Sequence, residues 1–180
     1  MDRKVTLAGA NLVFFAFAIL FFMFQGILVI LTGIYGEEFL DNNIYYILLI
    51  NEYIVVLIPV LVYSFAKRLN FKEVFRLNFP GILPLILIVL LSLPAYAVAL
   101  ALNNIVAYYL QYFGDIPSHT LPVPTNVPEL IQGLAIVALT PAICEELLHR
   151  GILLNAYESR GSLKAIIITS IFFGIFHFDI

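Results

Sequence analysis

The chain alternates between long apolar runs and short segments that hold most of its charges. No Asp, Glu, Lys or Arg lies between Lys4 and Glu37. A helix needs about 20 apolar residues to cross roughly 30 Å of hydrocarbon. Leu7–Gly33 is therefore the first predicted span. It is too long for the apolar region of a signal peptide, and no small-x-small cleavage site closes it. A second span is expected over Ile44–Ala66 and a third within Ile82–Phe113, a charge-free stretch longer than one straight crossing requires. Pro84 and Pro94 are expected to kink that third span or shorten its regular part. A fourth runs over Pro128–Tyr157 and a fifth over Ser162–Phe178. The predicted fold is all-α: a polytopic transmembrane helix bundle of about five spans, forming one domain over residues 1–180.

The charges between the spans are sorted by sign. Arg3 and Lys4 precede the first span, Lys67, Arg68, Lys72 and Arg76 follow the second, and Arg160 and Lys164 follow the fourth. The other two connections carry Glu37, Glu38, Asp41 and Asp115 without a Lys or Arg. Cations mark cytoplasmic loops, so the N-terminus is placed in the cytoplasm of a multi-pass cell-membrane protein. Within residues 66–79, Leu69, Phe71, Val74, Phe75 and Leu77 alternate with cations, which predicts a short amphipathic helix on the cytoplasmic leaflet. Residues 114–127, with Pro117, Pro122 and Pro124, are expected to form an external loop.

Composition agrees with this pattern and removes several function classes. Hydrophobic residues make up 62% of the 180 and charged residues 12%, against about 45–50% and 25% in soluble domains. A net charge of −3 provides no basic surface for nucleic acid. The single cysteine, Cys144, excludes an internal disulfide framework.

Polar groups inside a span are costly, so each needs a partner or a task. The densest set is TPAICEELLHRG, Thr140–Gly151. Glu146 and Arg150 stand four residues apart and can form an ion pair on one helix face. Glu145 lies about 100° around the helix, on the side of His149. Pro141 cannot donate to the carbonyl of Val137, which loosens the helix just before the acidic pair. His177 lies in the last span, in FFGIFHFD. Counted from the cytoplasmic ends at 1.5 Å per residue, Glu145 is roughly 18 Å deep and His177 roughly 22 Å. Antiparallel neighbours bring them to one level, where a carboxylate and an imidazole can hold and deprotonate a water between them.

Glu145-Glu146-Leu147-Leu148-His149-Arg150 followed one helix later by Phe173-Gly174-Ile175-Phe176-His177 resembles the CAAX-protease and bacteriocin-processing family of intramembrane glutamic endopeptidases. The resemblance implies a metal-independent peptide hydrolysis near a substrate's C-terminus, with no cofactor. It assigns Glu145 as general base and His177 as its partner, Glu146 and Arg150 as a supporting pair, and Phe173 as a packing residue. Family members carry a third motif on a later helix, a second His followed by a polar residue, that holds the developing oxyanion. The chain ends at Ile180, directly after the second motif. The expectation is thus either a longer native chain or an inactive site, since losing such a group costs two to three orders of magnitude in rate.

Other readings stay open at this point. Glu145, His149 and His177 form an acceptable ligand set for catalytic zinc, although H-E-x-x-H is absent. Cys144 offers a thiol nucleophile, but a thiolate is disfavoured in low dielectric. His119 reads as a surface loop residue. Glu52 and Glu129 read as interfacial, with Glu52 the next candidate for a buried role, and Asn103 and Asn104 as interhelical hydrogen-bonding residues. A non-catalytic partner-binding or bacteriocin-immunity protein needs only the Glu146–Arg150 pair for folding. A proton-coupled transporter uses buried carboxylates and histidines too.

Overall fold

The computed structural model describes residues 4–114 and 121–177, and these are helices joined by turns, with no strand among them. We number the helices α1 (Leu7–Tyr35), α2 (Glu38–Ala66), α3 (Phe71–Val74), α4 (Ile82–Leu110), α5 (Val127–Arg160) and α6 (Ser162–Ile175). Four of them, α1, α2, α4 and α5, are long and apolar enough to cross a membrane. At 29 residues, α1 extends about 44 Å. The chain is an all-α polytopic bundle. Arg3, Asp115, Pro117, His119 and Phe178 lie outside the described residues.

Three helix ends follow from local chemistry. Thr6 caps α1, its hydroxyl oxygen accepting from the Gly9 N–H at 3.1 Å. Asn126 caps α5 by accepting from the Glu129 N–H at 3.0 Å, and Glu129 reaches back to accept from the Thr125 N–H at 2.7 Å. Glu129 thus belongs to a reciprocal cap that satisfies the first free donors of the helix. Gly161, at φ +104, makes the sharp turn into α6 that a residue with a Cβ would resist.

Two long helices are not uniformly wound. Asn51–Leu57 in α2 and Leu134–Leu139 and Leu147–Leu154 in α5 are π-helical. Pro59 follows the first of these and Pro141 the second. A proline has no N–H for the carbonyl four residues back, which lies inside the wider turn in both cases. The loosening expected ahead of Pro141 is therefore present, and α2 repeats the device. The third π segment contains no proline. In α4 Pro84 sits in the first turn, where no donor is needed, and the helix runs on through Pro94. The predicted shortening of that span does not occur.

The contacts divide the chain into two units. One holds α1, α2, α3, α5 and α6; the other is residues 78–119, described through 114 and built on α4. Asn103 and Asn104 are exposed within the α4 unit. In the larger unit the core runs from Ala10, Val13 and Phe17 of α1 through Val55, Val56 and Val60 of α2 to Leu148, Ile152 and Leu153 of α5. Between helices in lipid, close packing rather than water exclusion supplies the attraction. Gly9 and Gly151 show how close it is. A Cβ at Gly9 would strike the Tyr63 ring, and one at Gly151 would strike the Phe75 ring.

Two predicted elements differ from those observed. Past Ala66, only Phe71–Val74 of residues 67–79 is helical, and Leu69 and Val74 are buried in the protein core. The Asn155 amide also donates to the Val74 carbonyl at 3.3 Å, and Arg76 pairs with Glu158. Leu69 and Val74 therefore pack into the protein, while Leu77 stays exposed. The described part of α6 has 14 residues, or about 21 Å, less than a full crossing.

Candidate active site

The second half of α5 presents two faces. On one, the Arg150 Nε lies 3.2 Å from the Glu146 carboxylate, and both side chains are well exposed, at 73% and 48%. The expected i,i+4 pair forms, but it is not the buried pair that would fix helix docking. Cys144 is buried in the core and holds a free thiol, which keeps it from an approaching substrate.

On the other face, Glu145 meets α6. Its carboxylate lies 3.5 Å from the His177 Nε2, with the two side chains 21% and 44% exposed. Depth counting brought these two residues to one level, and the structure brings them into direct contact. That contact leaves no room for a water between the facing atoms.

His177 is held by the way α6 ends. The regular helix stops at Ile175 rather than continuing through His177. The His177 N–H donates to the Gly174 carbonyl at 3.1 Å, a tighter turn than the α-helical one. This frees the Phe173 carbonyl, and the ring Nδ1 of His177 takes it at 2.8 Å. A carbonyl only accepts, so Nδ1 carries the proton and Nε2 is the atom presented to Glu145. The Phe173 ring stacks on the imidazole at 3.9 Å between centroids, with 21° between planes. Orientation of His177 is thereby fixed from two sides.

His149 is buried and turns its Nδ1 to the Glu145 backbone carbonyl at 3.1 Å, with its ring edge-on to Phe173 at 4.9 Å. It does not join Glu145 and His177 as a ligand set. Among the described residues no three His, Cys, Asp or Glu side chains converge on a metal position. The Glu145 carboxylate and the His177 imidazole are suited instead to moving a proton. A cavity of about 170 Å³ lies elsewhere, between Asp41, Tyr45 and Leu49 of α2 and Gln132 and Ile136 of α5.

Glu52 takes the buried role rather than the interfacial one. It is 3% exposed, on the π-helical turn of α2 that packs against Thr140–Glu146. Its position within an otherwise apolar span was the available signal, since a charge there is rarely idle.

Residues 127–180 match the family model described as Type II CAAX prenyl endopeptidase Rce1-like. This agrees with the resemblance carried by the two motifs, and it covers α5 and α6 but not α1 to α4. No curated protein and no solved structure matches the chain.

Proposed function

We propose that the protein is a membrane-embedded endopeptidase of CAAX-protease type that cleaves a peptide or protein near its C-terminus with a water activated by Glu145 and His177. The observation that carries this reading is the 3.5 Å approach of the two side chains, with the imidazole oriented by the Phe173 carbonyl. Glu145 accepts a proton from water as the hydroxide oxygen attacks the peptide carbonyl carbon. His177 orients this carboxyl, its Nε2 accepting from Glu145 once the proton has arrived. When the C–N bond breaks, the amine nitrogen takes the proton back and the site is restored. Phe173 keeps the imidazole in register, and Glu146 with Arg150 supports the helix from its other face. No step in this scheme requires a metal. The membrane supplies the low-dielectric surroundings in which such a pair acts strongly.

The test is hydrolysis of C-terminal peptides, prenylated and unprenylated, by the full chain in proteoliposomes. Glu145→Gln and His177→Ala are each expected to lower the rate by about 10²- to 10⁴-fold, the usual worth of a positioned acid or base. Hydrolysis at the wild-type rate by both folded variants would sink the reading. Partner capture that survives both changes, without hydrolysis by any form, would make the chain a binding or immunity protein. Proton-coupled uptake lost in Glu145→Gln would make it a transporter.

A further inference from the structure

Glu52 stands in the core with one carboxylate oxygen satisfied and one not. Oε1 accepts from the Asn51 amide at 3.1 Å, while Oε2 is buried without a hydrogen-bond partner among the described residues. Buried polar atoms are nearly always paired, and an orphan in a folded protein calls for an explanation. A structural one is weak here, because an apolar residue would pack the same turn at lower cost.

The surroundings of Glu52 point to the site already described. Its helical turn packs on Thr140–Glu146, and its carboxyl interacts electrostatically with both Glu145 and His177. The ionisable groups that interact with it are Cys144 and Glu145 on α5 and His177 just past the end of α6. From α1 nothing ionisable is supplied between Leu7 and Gly33. Asn51 Oδ1, beside Glu52, and His149 Nε2 on α5 are likewise buried without a partner among the described residues. Three such atoms therefore lie on the two helices that meet at this turn.

We propose that Glu52 is a third member of this site, a positioning residue whose buried carboxyl acts electrostatically on Glu145 and favours its taking the proton from water. The inference rests on the peptidase reading above and adds a residue that neither motif contains. As the water O–H bond breaks and the C–O bond forms, the proton is held on Glu145. When the C–N bond breaks, the same proton ends on the amine nitrogen, so no charge accumulates. A like charge buried close by favours the protonated form of a carboxyl.

The experiment compares wild type, Glu52→Gln, Glu52→Asp and Glu145→Gln in proteoliposomes, with kcat, KM and the full pH–rate profile for each. Glu145→Gln reports on the peptidase reading alone: a wild-type rate there removes the reading and this inference together. With Glu145→Gln inactive, Glu52→Gln is expected to lower kcat by about 10- to 100-fold at unchanged KM and to displace the pH profile. Glu52→Asp, which retains an ionisable carboxyl, is expected to recover part of the rate. A Glu52→Gln enzyme with at least half the wild-type kcat and a superimposable profile overturns the inference and leaves the peptidase reading intact. Equal losses in the Gln and Asp variants without a pH displacement also overturn it, since that pattern belongs to packing. If Glu52→Gln does not fold, Glu52→Asp carries the test: a reduced kcat with a displaced profile supports the proposal, and a reduced kcat with a superimposable profile refutes it.

Discussion

Glu145 and Glu146 are adjacent in sequence and have the same side chain, yet they belong to different chemical settings. Glu146 faces outward to Arg150, one turn further along its own helix. Glu145 faces inward to His177, which arrives from α6 thirty-two residues later, 145 to 177. One partner is local and set by the helical repeat; the other exists only when two helices dock. A rotation of about 100° per residue is enough to separate a pair that decorates a helix from one able to carry out a reaction. Acidic residues inside a span are thus sorted by what lies across from them, not by their identity.

This contrast can be broken at several strengths. The widest gap is between Glu145→Gln and Glu146→Gln: the first is expected to lose about 10²- to 10⁴-fold in rate and the second less than tenfold, measured side by side in proteoliposomes. Comparable losses in both would erase the distinction between the faces. Next comes Gly151→Val on α5, where a side chain is forced into the Phe75 ring. Such overpacking costs about 1–3 kcal/mol, readable as a lowered unfolding midpoint in detergent, and an unchanged midpoint would show that Phe75 swings away. Phe173→Ala removes the ring stacked on His177. An aromatic contact of this kind contributes roughly 0.5–1.5 kcal/mol, so kcat is expected to drop roughly three- to tenfold with the fold intact. The smallest effect belongs to the outer pair. A double-mutant cycle on Glu146 and Arg150 is expected to give a coupling below about 1 kcal/mol, because both side chains are largely exposed. A coupling of several kcal/mol would place that pair in a buried setting.

Much of this arrangement was legible in the residues. Apolar runs separated by charges located the four long helices, because that pattern reflects the thickness of a bilayer directly. Depth counting along α5 and α6 brought Glu145 level with His177, since the rise per residue is nearly constant. Hydropathy alone does not distinguish lipid from protein. Leu69 and Val74 look the same to a pattern whether they enter a leaflet or the core, and here they enter the core. The π-helical turns were half visible. Pro59 and Pro141 flag two of them, but Leu147–Leu154 has no proline, and its winding answers to packing between helices. The place of Glu52 against the motif helix was not readable either, as it depends on how α2 docks.

The end of α6 links two properties that are usually independent. His177 reaches the Phe173 carbonyl with its ring because its own backbone N–H has gone to Gly174. Winding the helix by one more residue would hand that carbonyl to the backbone and release the ring, tautomer and orientation together. Helix length and imidazole chemistry are therefore one variable at this position. A force that tightens or extends this last turn acts on the proton-bearing atom without touching it.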